Sequence, residues 1–135
     1  MLEKKIKYTD LRGHEREDTF MFHLNKSELL KLEMSVPGGF TAKINKMVDK
    51  EDAPEIVETF ENFILSSYGE ISEDGKSFIK NKELTDRFKN SEAYSELFME
   101  LISNPESAKA FVSGVIPVGI NIEEQEKLMA IDKKI

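Results

Sequence analysis

The stretch Asp52-Ala53-Pro54-Glu55-Ile56-Val57-Glu58-Thr59-Phe60-Glu61-Asn62-Phe63-Ile64-Leu65-Ser66-Ser67-Tyr68-Gly69 carries the clearest helix signal in the chain. Asp52 is a capping residue, Pro54 falls in the first turn where its missing N–H costs nothing, and Glu55 sits at the third helical position near the positive end of the dipole. Ile56, Phe60, Phe63, Ile64 and Ser67 recur at helical spacing, and Val57 and Tyr68 widen the apolar stripe. Gly69 reads as the C′ residue that stops the helix. A helix with so much Phe and Ile on one face must be covered, so it is expected at the centre of the fold.

On its C-terminal side, Glu70 to Lys80 holds Asp74-Gly75 between short runs ending in Phe78-Ile79, which predicts a tight turn or small hairpin. Helices follow. Leu84 and Phe88 belong to a short one capped near Asn81. Tyr94, Leu97, Phe98, Leu101 and Ile102 define another beginning at Asn90 or Ser91. Asn104-Pro105 ends that helix and starts a third, which carries Ala108, Phe111 and Val112 to Gly114. The tail beyond Pro117 has scattered apolar residues among charges, and is expected to be a weak helix or flexible.

On the N-terminal side, residues 4–24 read as a β-hairpin. Ile6 and Tyr8 alternate with Lys5 and Lys7, Phe20, Phe22 and Leu24 alternate with Met21 and His23, and a polar loop containing Gly13 joins the two runs. An isolated hairpin is marginal in water, so its Phe-bearing face is expected to pack on the helices. Asn25 and Glu28 have the spacing of a capping box ahead of Leu29, Leu30, Leu32 and Met34. Pro37-Gly38-Gly39 stops that helix, and Phe40, Ile44, Met47 and Val48 mark one face of another. The fold class is thus α+β and predominantly α-helical: a hairpin packed on about five to six short helices. A single domain over residues 1–118 is expected, with 119–135 as a tail.

The chain has 135 residues, 39% apolar and 33% charged, which suits one core beneath a charged surface. Lys and Arg number 19 against 26 Asp and Glu, giving a net charge of −7 that opposes phosphate attraction; nucleic acid is not expected as a partner. Neither is a membrane: the most apolar window, Phe111 to Ile120, is about half the ~20 residues of a span and is broken by Pro117 and Gly119. The N-terminus alternates charged and apolar residues, so no export signal is expected, and a reducing cytoplasm is the default compartment.

Zero cysteines exclude thiol nucleophiles and thiolate metal sites. His14 and His23 are the only histidines, too few for a His-based metal centre. The segment Glu70–Asn81 has the register of a calcium loop, with Ser72 third, Asp74 fifth and Gly75 sixth. Its twelfth residue, Asn81, cannot give the bidentate carboxylate such a loop needs, so a structural turn is expected. No phosphate-binding glycine loop and no nucleophile elbow occurs. No catalytic, cofactor-binding or metal-binding residue is assigned.

Ser67-Tyr68-Gly69-Glu70-Ile71-Ser72-Glu73-Asp74-Gly75-Lys76-Ser77-Phe78-Ile79-Lys80, taken with Ser91-Glu92-Ala93-Tyr94-Ser95-Glu96-Leu97-Phe98-Met99-Glu100-Leu101, resembles the central signature of the tail assembly chaperones of long-tailed bacteriophages, especially those of low-GC Gram-positive hosts. Ala110-Phe111-Val112-Ser113-Gly114-Val115-Ile116-Pro117, Phe20-Met21-Phe22-His23-Leu24 and Leu29 extend the resemblance over residues 5–118. The resemblance implies a non-enzymatic protein without cofactors. It would bind the tape measure protein and keep it soluble, help recruit the major tail tube protein, and self-associate. It would act in the host bacterial cytoplasm and be absent from the mature virion. The alternative is a structural virion or connector component. Tyr68, Asp74, Phe78, Lys80 and Tyr94 carry the resemblance and are the candidate partner-binding residues; a structural role, closing the turn onto the helices, is the competing expectation for each.

Overall fold

The computed structural model describes residues 1–35, 38–40 and 53–116. The chain opens with an antiparallel pair, β1 (Leu2–Thr9) and β2 (Glu15–Phe22), in register from Leu2 opposite Phe22 to Thr9 opposite Glu15. Alternation sends Leu2, Lys4, Ile6, Tyr8, Phe20 and Phe22 to the helix side and Glu3, Lys5, Lys7 and Glu17 to solvent. Lys4 lies on the inner face without an uncompensated charge, because its Nζ is 3.0 Å from an Oε of Glu100 at the sheet margin. The connecting loop is organised by Asp10, whose carboxylate accepts the N–H groups of Arg12 and His14, and Gly13 provides the positive φ of 87° that closes it.

After β2 come α1 (Lys26–Ser35) and α2 (Ala53–Ser67), then β3 (Tyr68–Ile71), β4 (Phe78–Ile79), α3 (Lys82–Lys89), α4 (Glu92–Ser103) and α5 (Pro105–Val115). Five helices are therefore seen among the described residues, and the α+β class holds. The helix expected over Phe40 to Val48 and the tail after residue 118 lie outside the described residues, apart from Phe40 itself, which stacks on Phe63 with ring centroids 5.2 Å apart. The cap Asp52 lies outside them too.

The sheet is larger than the expected hairpin. Its four strands follow chain order, β1-β2-β3-β4, all antiparallel. β3 joins β2 through only two residue pairs, Met21 with Gly69 and Phe22 with Tyr68. The junction is prolonged by the His23 N–H, which donates to the Ser67 carbonyl at 2.8 Å. Gly69 consequently does not cap α2. It lies within β3 because a Cβ there would stand 2.5 Å from the Ile79 carbonyl oxygen and 2.7 Å from the Phe78 ring. The need is for close backbone approach, not for a helix stop.

The remaining boundaries follow local chemistry. Asn25 Oδ1 accepts the Glu28 N–H while Glu28 Oε1 accepts the Asn25 N–H, a reciprocal capping box at the start of α1. Asn81 caps α3, Ser91 caps α4, and Asn104 caps α5 by accepting the N–H groups of Glu106 and Ser107, with Pro105 in the first turn. The core lies between the inner face of the sheet and helices α2, α4 and α5, where Phe22, Phe60, Phe63, Ile64, Leu97 and Val115 are wholly buried. Burying a side chain of this size stabilises by roughly 1.5–3 kcal/mol, and six together form the main driving force for this topology.

Candidate partner-binding surface

The five candidate residues divide into three places. Tyr68 and Tyr94 meet through Phe88. Tyr68 stacks on the Phe88 ring at 4.3 Å, Tyr94 abuts the same ring edge-on at 5.5 Å, and Phe98 continues the row beyond Tyr94 at 5.9 Å. These aromatics weld β3 to α3 and α4. Burial pushes the Tyr68 hydroxyl above its ordinary pKa, reinforced by the nearby Glu70 carboxylate. Burial raises Tyr94 strongly, with Glu61 adding to it, and the Tyr94 hydroxyl has no hydrogen-bond partner among the described residues.

Phe78 and Lys80 form the second place, around β4. The Phe78 ring covers Gly69 and meets His23 edge-on at 5.6 Å. Lys80 Nζ lies 2.7 Å from Glu28 Oε2 and 5.8 Å from the Phe78 ring centre. Burial, the N-terminal amine and Lys80 together hold the His23 imidazole below its ordinary pKa. Both histidines thus have structural surroundings: His14 sits 3.5 Å from the Asp10 carboxylate in the first hairpin loop, and His23 packs on Phe78.

Asp74 stands alone at the exposed tip of the β3–β4 turn. Its Oδ1 accepts the Ser72 hydroxyl and the Lys76 N–H, while Gly75 takes φ 74°. The Ser72 hydrogen bond and then the Lys76 N–H hold its carboxyl below the usual range. The segment with calcium-loop register is therefore a hairpin in which Glu70 belongs to a strand, Asp74 braces the turn and Asn81 caps a helix. Among the described residues, no group of three or more Asp, Glu or His side chains is placed to hold a metal ion.

A feature not anticipated from the sequence is a groove of about 620 Å³ where β2 and β3 diverge beyond Met21. Phe20, Tyr68 and Phe88 form its apolar floor, and Asp18, Glu70 and Arg87 stand around it. Tyr8 donates to Asp18 at 2.6 Å and fixes one end. Tyr68 is the one candidate residue that lines it. No sequence period marks this groove, because it exists only where a non-local pairing stops after two residue pairs.

The molecule is a small α+β protein whose candidate residues are engaged in packing and turn formation. A family model described as phage tail assembly chaperone matches residues 1–133. The chain belongs to the phage tail assembly chaperone family, as the resemblance in residues 67–101 implied. No curated protein matches, and no solved structure matches.

Proposed function

We propose that this chain binds the tape measure protein of a long-tailed phage, keeps it soluble until the tail tube encloses it, and helps bring tube subunits to it. The observation that carries this is the family match, which spans residues 1–133 and so concerns the whole fold instead of one motif. Its action is non-covalent: binding without catalysis, in the host cytoplasm, followed by release so that the finished particle lacks it. A long helical client with uncovered apolar stripes self-associates, and many weakly held copies of a small acidic protein along its length oppose that through coverage and charge repulsion. Weak individual contacts allow displacement by the tube protein, and their number supplies the hold.

Met34 and Met99, each 58% exposed, supply adaptable apolar contact on α1 and α4, and Asp74 is the one exposed residue among the five candidates. Co-expression with the tape measure protein encoded in the same phage tests this reading. Affinity capture of the chain should co-purify soluble tape measure protein, and peptides of this chain should be scarce in purified virions. Abundant virion peptides would instead establish the structural-component alternative.

A further inference from the structure

We propose that the cleft between β2 and β3 is a strand-insertion site that takes an extended, Lys- or Arg-bearing segment of a partner protein. The ladder geometry defines it. Because the His23 N–H donates to the Ser67 carbonyl, alternation makes Met21 and Gly69 the next hydrogen-bonded pair, and directs the backbone groups of Thr19 and Glu17 toward the β3 side. β3 pairs only with Met21 and Phe22, so among the described residues Glu15–Phe20 have a strand partner on the β1 side alone. On the opposite wall, the Ser72 N–H bonds to the Ser77 carbonyl, so by the same alternation Ile71 turns its backbone groups away from β4 and toward the cleft. Two diverging strands thus present unpaired backbone to one another, and an added strand satisfies both.

Side chains specify the occupant further. The floor of Phe20, Tyr68 and Phe88 suits an apolar residue at the centre of the inserted segment's inner face. The cations at the rim are already engaged, Arg16 by Asp10 and Arg87 by Glu83. Asp18 and Glu70 form no ion pair among the described residues, and both share the face of the floor, Asp18 two positions before Phe20 and Glu70 two after Tyr68, whereas Glu17 on the opposite face is matched by Lys7 at 3.7 Å. The unmatched charge is acidic, so a basic segment is the complementary one. This goes beyond the proposed chaperone role and holds for any partner that presents such a segment.

The test uses the full chain, isotopically labelled, titrated with a terminally blocked peptide of about eight residues of lysine and valine, ordered so that each face of the extended segment carries both, and with its glutamate–valine counterpart. The lysine peptide should shift the amides of Glu17, Thr19 and Ile71 saturably, with at least about tenfold weaker binding for the acidic peptide. Thr19→Pro removes the donor facing the cleft while sparing the bonds to β1, and should abolish these shifts in a folded protein. Glu70→Lys, on the exposed strand surface, should weaken the lysine peptide several-fold and strengthen the acidic one, which decides the matter even if Thr19→Pro does not fold. Absence of saturable shifts, or shifts centred elsewhere, overturns the proposal. Movement of the same amides with protein concentration alone makes a second copy the occupant, and overturns it equally.

Discussion

Lys80 Nζ lies 2.7 Å from Glu28 Oε2, joining the end of β4 to the first turn of α1 across 52 positions of sequence. The same carboxylate uses its other oxygen to accept the Asn25 N–H at 3.1 Å. Glu28 therefore does two things: it completes a helix cap locally and ties the β3–β4 hairpin to that helix at long range. Lys80, singled out for a partner contact, is thereby also part of the protein's internal bracing.

This pair makes stability dependent on acid pH. Burial raises the Glu28 pKa, but the Lys80 hydrogen bond, the Asn25 N–H and the Lys80 charge outweigh it, so the net shift is downward from 4.5. With the folded value depressed, the stabilisation is complete above about pH 4.5 and is lost as pH falls through the lower folded value. Glu28→Gln keeps an acceptor for the Asn25 N–H and removes the ion pair. Urea titrations should show a loss of about 1 kcal/mol near neutrality, discounted for the pair's partial exposure, and a difference from the unsubstituted protein that shrinks toward pH 3. An unchanged difference down to that pH would contradict the assignment.

Gly69→Ala should destabilise by roughly 2–3 kcal/mol, because the added methyl meets the Ile79 carbonyl at 2.5 Å and the Phe78 ring at 2.7 Å, and backbone cannot yield cheaply. Chemical denaturation measures it. Were Gly69 merely a helix stop, its φ would be the sensitive quantity; the structure instead predicts that loss of Phe78 relieves part of the cost, so Gly69→Ala in a Phe78→Ala background should be milder than in the parent protein.

Asn104→Ala should cost about 1 kcal/mol, since the side chain satisfies the N–H groups of Glu106 and Ser107 at the start of α5. Thermal unfolding should register it as a drop of several degrees. Substitution by Asp or Ser, which keeps an acceptor, should restore most of the loss.

Tyr94→Phe removes a hydroxyl that is buried without a partner among the described residues, while keeping the ring that packs on Phe88 and Phe98. Stability should be unchanged or rise by up to about 1 kcal/mol. A loss larger than that would show that the hydroxyl is bonded, and the measurement is again equilibrium unfolding.

Much of this architecture could be read from short-range patterns. The capping box at Asn25 and Glu28, the caps at Asn81, Ser91 and Asn104 with Pro105, and the alternation around Ile6, Tyr8, Phe20 and Phe22 each involve residues within a few positions of one another. What escaped was non-local. The small hairpin around Asp74-Gly75 was legible, but its attachment to the first one was not, because the pairing of Met21 with Gly69 depends on how α2 ends in space. Gly69 was therefore expected to stop a helix when it accommodates Phe78 and Ile79, and the cleft beside it had no signature. Phe88 illustrates the same limit: its spacing places it on a buried helix face, but not at the junction of Tyr68 and Tyr94.

The proposed function, keeping a much longer polypeptide in solution by covering it, has a direct test. The direct measurement is light scattering after the tape measure protein is diluted from denaturant, with and without increasing amounts of the chain. Scattering should fall with added chain, reach a floor at a ratio of several copies per tape measure molecule, and return when tube protein displaces the chain without forming tubes. Scattering that is unaffected by the chain at any ratio would contradict the account.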